Sequence, residues 1–211
     1  MSPYNYTAGN PVVLVDPDGR SYSPTKWLKN LIIKWNTLNN KEKNIIRWEI
    51  QFYKALSIEK NAEEAYKMTA KIFGKNGKGD ISDAFRHAYW QARNVQEVGK
   101  RFTQKWADAH EYSTPKDEVF TDLVMDIHNN DVGIEIGLKK PNASPEELAK
   151  IILNRIEKGD MLILDKNNKL LRSDGTQVEK NEIRRYQVSS AIANEIINNP
   201  ESQKTQNYEY D

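Results

Sequence analysis

The chain has 211 residues, of which 38% are hydrophobic and 29% charged, and its formal net charge is +1. That suits one domain with a modest core, and the missing basic surplus argues against a strong non-specific hold on nucleic acid. Without cysteine there is no disulfide, thiolate nucleophile or Cys-ligated zinc; no apolar run approaches the roughly 20 residues of a membrane span, and the N-terminus lacks the basic start and apolar core of a signal peptide.

Residues 3–20 read as turn, short strand, turn. Gly9-Asn10-Pro11 breaks the chain, Val12 to Val15 is apolar and mostly β-branched, and Asp16-Pro17-Asp18-Gly19 is a strong turn signal. A strand with no partner nearby reads as the end of something larger. Tyr4, Tyr6, Asn10, Pro11, Asp16, Pro17 and Gly19 resemble the closing motif of the RHS-repeat-associated core, YxYxxxNPxxxxDPxG. The resemblance implies that a β-cage ends here and that a variable C-terminal toxin domain follows from about residue 21.

Residues 24–38 have helical spacing of Trp27, Leu28, Leu31, Trp35 and Leu38, with Pro24 in the first turn. A second helix is predicted over Lys41–Leu56, with Ile45, Trp48, Phe52 and Leu56 on one stripe, and a third over Asn61–Phe73. The Trp27, Trp35 and Trp48 cluster is expected to pack as core. Gly74 to Gly79 is a flexible loop, not a P-loop, because no Gly-Lys-Ser/Thr leads into the helix.

The densest chemistry follows. Asp80 is the expected N-cap of a helix over Ile81–Val98. On it Asp83, His87, Trp90 and Asn94 form one stripe, and buried polar groups on a stripe need partners from other helices or a ligand. A helix over Arg101–His110 presents Trp106 and His110, with Glu111 at its end. A further helix over Asp117–Leu138 aligns Asp126, Asn130, Gly133 and Gly137, with Asn129 at the edge. Glycine inside a helix costs about 1 kcal/mol against alanine, so Gly133 and Gly137 suggest close approach of another backbone or a bound group. His128 falls on the opposite side and is set aside. Pro145–Glu157 is an amphipathic helix, and Met161–Leu164 and Lys169–Arg172 flank a turn as a β-hairpin. A last helix over Lys180–Asn198 precedes a polar tail, residues 200–211, expected to be disordered.

The expected fold is therefore mainly α, a bundle-like single domain over residues 21–199 with a small hairpin near its C-terminus. The candidate site holds Asp83, Arg86, His87, His110, Glu111, Asp126, Asn129 and Asn130. Three uses of such a set stand side by side. Asp83, His87 and Asp126 hold a divalent metal that activates water, with Arg86 on a phosphate. Or His87 is a general base oriented by an acid, without metal. Or the polar groups satisfy one another and only set helix register. Catalytic candidates are His87, Asp83, His110 and Asp126, and substrate-binding candidates are Arg86, Trp90, Asn129 and Asn130.

The combination DAFRHAxW, ADAHE and MDxxNNxxG is similar to a family of helical polymorphic-toxin domains found at the ends of RHS and wall-associated proteins. Asp83 to His87, Trp90, Ala107 to Glu111, Met125, Asp126, Asn129, Asn130 and Gly133 match that pattern in order. The resemblance implies a secreted antibacterial toxin, delivered into a target cell, with a cognate immunity protein and the RHS cage as partners. With the residues, it suggests a hydrolase acting on a phosphoester, and the near-neutral charge favours a lipid or envelope precursor over nucleic acid. A nuclease, and a membrane-disrupting toxin with an aromatic insertion face, are the alternatives.

Overall fold

The structure, a computed structural model, describes residues 33, 35–49, 52–111 and 120–178. The expected strand at 12–15, Trp27, Leu31, the side chains of Trp48 and Phe52, the helix at 180–198 and the tail at 200–211 lie outside the described residues.

Among the described residues the elements run, in order, α1 (Asn40–Glu49), α2 (Phe52–Phe73), α3 (Ile81–Val98), α4 (Lys100–Glu111), α5 (Phe120–Lys139), α6 (Pro145–Glu157), β1 (Leu162–Leu164) and β2 (Leu170–Arg172). The chain is mainly helical with a small antiparallel hairpin, as the periodicity predicts. Helix α3 is the central element. It packs most extensively on α5, then on α2, with α4 and α6 closing its sides.

The amphipathic pattern explains the packing. Ala84, Phe85, Ala88, Tyr89 and Ala92 of α3 are buried against Ile58 and Ala65 of α2, Phe102 and Trp106 of α4, and Leu148 and Ile152 of α6. Trp35 packs on the edge of this core, as expected of it. A second, smaller cluster joins Val124 and Met125 of α5 to Leu162 and Leu170 beneath the hairpin. Helix α6 begins with a full capping box: Ser144 accepts from the Glu147 backbone N–H, and the Glu147 side chain accepts from the Ser144 N–H.

Two boundaries differ from the sequence-based expectation. The predicted helix over 41–56 ends at Glu49, and its remainder joins the predicted helix over 61–73 into the single long α2. Asn61, which reads as a helix start, lies inside α2. Its side chain is buried and donates to Asn94 Oδ1 at 3.0 Å, so tertiary pairing overrides a poor local propensity. The close approach expected at the α5 glycines is real. A Cβ on Gly133 would lie 2.7 Å from Ala88 Cα and nearer still to the Ala88 carbonyl oxygen; on Gly137 it would lie 2.6 Å from the Ala92 carbonyl oxygen. These glycines let α5 lie directly on the backbone of α3.

The hairpin is fastened to both of these helices. Leu164 N–H donates to the Gly79 carbonyl at 2.7 Å, just ahead of α3. The Asn129 amide of α5 donates to the Leu162 carbonyl at 2.9 Å and accepts from the Leu162 N–H at 3.0 Å. Asn129 is fully buried. It therefore serves as a backbone mimic for a strand edge. Asn129→Ala would orphan both main-chain groups of Leu162. At roughly 1–3 kcal/mol per buried unsatisfied group, the expected loss is about 2–4 kcal/mol. Chemical denaturation checks this, and a variant as stable as wild type would refute the clasp.

Candidate metal centre

The first turn of α3 sets the site's floor. Asp80 caps the helix, accepting from Ser82 N–H at 2.8 Å and Asp83 N–H at 3.1 Å. This frees Asp83 for another task. Its Oδ2 accepts from Gly79 N–H at 2.6 Å, and its Oδ1 is ion-paired with Arg86. One turn on, His87 Nε2 lies 3.5 Å from Asp83 Oδ1 and 3.4 Å from Asp126 Oδ1 of α5. One donor atom from each of Asp83, His87 and Asp126 lies within 4.8 Å of the others. Nitrogen and oxygen donors about 2.0–2.2 Å from a single ion stand roughly 3–4 Å apart, so the spacing fits one cation.

The electrostatics favour a positive guest. Asp126 Oδ1 is sealed from solvent and has no hydrogen-bond partner. Burial, with the charges of Glu111, Asp83 and Asp122 around it, pushes the Asp126 carboxyl well above its ordinary range, although Arg86 pulls the other way. A carboxylate in this position lacks a counter-charge close enough to hold it ionised.

Around the three donors is a ring of support. His87 Nδ1 lies 3.1 Å from Asn130 Oδ1, and Asn130 donates to Glu111 Oε1 at 2.9 Å. Arg86 is held at the rim: it donates to the Gly77 carbonyl at 3.1 Å and lies over the Tyr66 ring at 5.0 Å. The structure thus brings together Asp83, Arg86, His87, Glu111, Asp126 and Asn130.

It separates the other candidates. His110 faces α1, where its Nδ1 lies 3.2 Å from Glu42 Oε1, and its ring meets the edge of Trp90 at 5.0 Å. Trp90 is 8% exposed, donates its indole N–H to the Ile58 carbonyl at 3.0 Å and packs in the core. His110 belongs to a latch in which Asn39 also donates to the Ala109 carbonyl at 2.7 Å. The reason is chain direction: the helix turns His110 away from the side that carries Glu111. His128, set aside earlier, approaches the Asp160 carbonyl at 2.8 Å, outside the site.

Burial alone would lower the His110 imidazole, but the hydrogen bond and charge of Glu42, with Glu111 behind it, lift it to about 9. Because this lies above the ordinary 6.5, the latch's contribution to stability is complete below that pH. It is lost as pH rises through the folded value. Between about pH 6 and about pH 10, the urea midpoint should therefore fall further in wild type than in His110→Asn. An equal fall in both would refute the latch.

Sequence reasoning missed Asp122 and Gln91. Asp122 is buried, its Oδ2 lies 3.4 Å from Lys78 Nζ, and its Oδ1 has no hydrogen-bond partner. It stands one turn before Asp126, so the i, i+4 stripe on α5 is the signal that finds it. Gln91 is buried one turn after His87 and donates to Asn130 Oδ1 at 3.3 Å.

Comparison with known proteins gives no match among curated proteins or solved structures. One family profile does match, over residues 43–160, and is described as a domain of unknown function (DUF6973). That span holds most of α1, all of α2 to α6 and every residue of the candidate centre. It covers more than half of the chain, and the protein therefore belongs to the DUF6973 family.

Proposed function

We propose that Asp83, His87 and Asp126 hold one divalent cation and that the protein is a metal-dependent hydrolase of phosphoesters. The observation that carries this is the face-to-face placement of three donor atoms with the sealed Asp126 Oδ1 left without a hydrogen bond. Nothing in the donor set is thiolate, and two carboxylates with one imidazole suit zinc, manganese or a harder ion. A cation so held supplies a Lewis acid and an activated water. Arg86, fixed at the rim by Asp83, Gly77 and Tyr66, offers a guanidinium for a phosphate oxygen.

The biological setting proposed is that of an antibacterial toxin, released from an RHS cage into a target cell and neutralised in its producer by an immunity protein. Support comes from the residue 4–19 motif and from the DAFRHAxW, ADAHE and MDxxNNxxG combination. A net charge of +1 favours a lipid or envelope precursor as substrate over nucleic acid. Among the described residues no helix is long and apolar enough to cross a membrane.

Calorimetric titration of the chelator-stripped protein with zinc, manganese, magnesium and calcium tests the centre. One site per chain is expected, lost in His87→Ala and in Asp126→Ala. The loaded protein is then offered phospholipid vesicles and, separately, DNA and RNA. Expression in the periplasm and in the cytoplasm of a test bacterium locates the target. Toxicity confined to the periplasm and lost in both variants supports the envelope substrate; cytoplasmic toxicity with nucleic-acid loss would replace it with a nuclease. No metal uptake by a folded protein would end the proposal.

A further inference from the structure

A chain of buried amides leads out of the metal centre toward α2. Asn61 donates to Asn94 Oδ1 at 3.0 Å, Asn94 to Gln91 Oε1 at 3.1 Å, Gln91 to Asn130 Oδ1 at 3.3 Å, and Asn130 to Glu111 Oε1 at 2.9 Å. Every member is buried. An amide presents a donor on one side and an acceptor on the other, so in such a chain all members point one way or all point the other. The two directions give opposite outcomes at His87, whose Nδ1 abuts Asn130 Oδ1 at 3.1 Å.

The far end does not choose between them. Asn61 Oδ1 is buried without a partner, and reversing every amide would merely exchange that orphan for an orphaned N–H. The near end does choose. Glu111 ends the chain, and a carboxylate only accepts. Reversal would set Asn130 Oδ1 against Glu111 Oε1, oxygen to oxygen at hydrogen-bond distance. The chain must therefore run toward Glu111, Asn130 must show its oxygen to the ring, and His87 Nδ1 must carry the hydrogen.

We propose that Glu111, acting through Asn130 and Gln91, is a positioning residue that fixes His87 in its Nδ1–H tautomer and turns a bare Nε2 lone pair toward Asp83 and Asp126. This deepens the metal proposal above and rests on it. The bare Nε2 then stands 3.4 Å from Asp126 Oδ1 and 3.5 Å from Asp83 Oδ1, so a cation between them would meet one donor atom from each residue. His87 is then the oriented histidine typical of metal sites, whose second nitrogen is held by a partner beyond the ligand shell.

The test reads the tautomer directly, in metal-free protein, by nitrogen NMR of labelled histidine. The chain has only three histidines, which makes assignment simple. His87 should show Nδ1 protonated and Nε2 bare. In Glu111→Gln, which preserves shape but supplies a donor, the constraint is lifted: the Nε2–H form should appear, and metal affinity should fall roughly 10–100-fold, the range for supporting partners. Adding Asn130→Asp to that variant restores a donor–acceptor pair of the opposite sense and leaves an acceptor facing the ring, so the Nδ1–H tautomer should return. A purely structural Glu111 would not produce that rescue.

A wild-type ring with hydrogen on Nε2, or on both nitrogens, would overturn the inference. So would a tautomer unchanged by Glu111→Gln. If Glu111→Gln does not fold, Glu111→Ala decides: it removes the acceptor that orients Asn130, so the Nε2–H form should appear, and an unchanged tautomer overturns the inference. The Nδ1–H tautomer in a protein that takes up no metal would instead refute the metal proposal and leave the relay standing.

Discussion

Asp126→Asn should make the metal-free protein more stable while abolishing the proposed metal binding. The wild-type carboxyl is nearly enclosed, with 16% of its side chain exposed, and one oxygen is sealed without a partner. Leaving a buried polar atom unsatisfied costs roughly 1–3 kcal/mol, and the neighbouring Glu111, Asp83 and Asp122 add repulsion. The amide removes the charge and can place an N–H donor within reach of His87 Nε2. A gain of about 1–3 kcal/mol in unfolding free energy is expected in chelator. Metal affinity should fall by more than the roughly 10–100-fold typical of a supporting partner, because an anionic ligand is lost.

The pH dependence has a definite sign. Asp126 holds its proton more tightly folded than unfolded, so its contribution is favourable at low pH and is lost as pH rises through its raised value. The stability gap between Asp126→Asn and wild type should therefore widen with rising pH. Thermal melts with chelator and with saturating metal measure both halves: metal should raise the wild-type midpoint and leave that of the variant unmoved. If the variant is instead less stable in chelator, the carboxylate is a structural acceptor, and the polar cluster sets helix register and nothing more.

Gly133→Ala is expected to destabilise the protein and to disturb the site at once, although alanine is the better helix former. Helix propensity alone would favour alanine by about 1 kcal/mol. Against it stands a methyl 2.7 Å from Ala88 Cα and closer to the Ala88 carbonyl oxygen, and these are backbone atoms that cannot rotate aside. Overpacking of this kind costs roughly 1–3 kcal/mol, occasionally more. The net result should be a loss of about 1–2 kcal/mol or more. Relief can come only by moving α5 away from α3, and Ala88 adjoins His87. Metal affinity should therefore fall with stability. Gly137→Ala presses on Ala92, more than a turn further from the site, so it should lose stability with a smaller effect on metal. Urea titration beside metal titration separates the two; a Gly133→Ala protein with unchanged stability would show that the helices have room to spare.

The parts of this fold legible in the sequence are those with local causes. Ser144-Pro145 with Glu147 announces the start of α6, Asp80 announces α3, and the apolar runs around Asp165 to Asn168 announce the hairpin. Asp83, His87 and Asp126 were legible because helical spacing put two on one stripe, and the glycines of α5 advertised a close neighbour. What stayed hidden depends on the other end of a contact. Nothing near Asn61 says that Asn94 will satisfy it from 33 residues away. His110 sits in a motif beside Glu111, yet its partner is Glu42, 68 residues earlier. Asn129 and Asn130 are indistinguishable as letters; a rotation of one residue on α5 sends the first to a strand backbone and the second to the imidazole.

The clasp between Asn129 and Leu162 has a consequence for how sequences of this fold can drift. Its receiving end is main chain, which every amino acid except proline supplies alike. The Leu164 N–H that meets the Gly79 carbonyl is main chain in the same way. Position 129 is thus tied to asparagine while the strand it grips is free to change its side chains, within the limits of the apolar cluster below. Two copies of this domain could lose nearly all resemblance along the hairpin and still hold Asp83, His87 and Asp126 at the same separation.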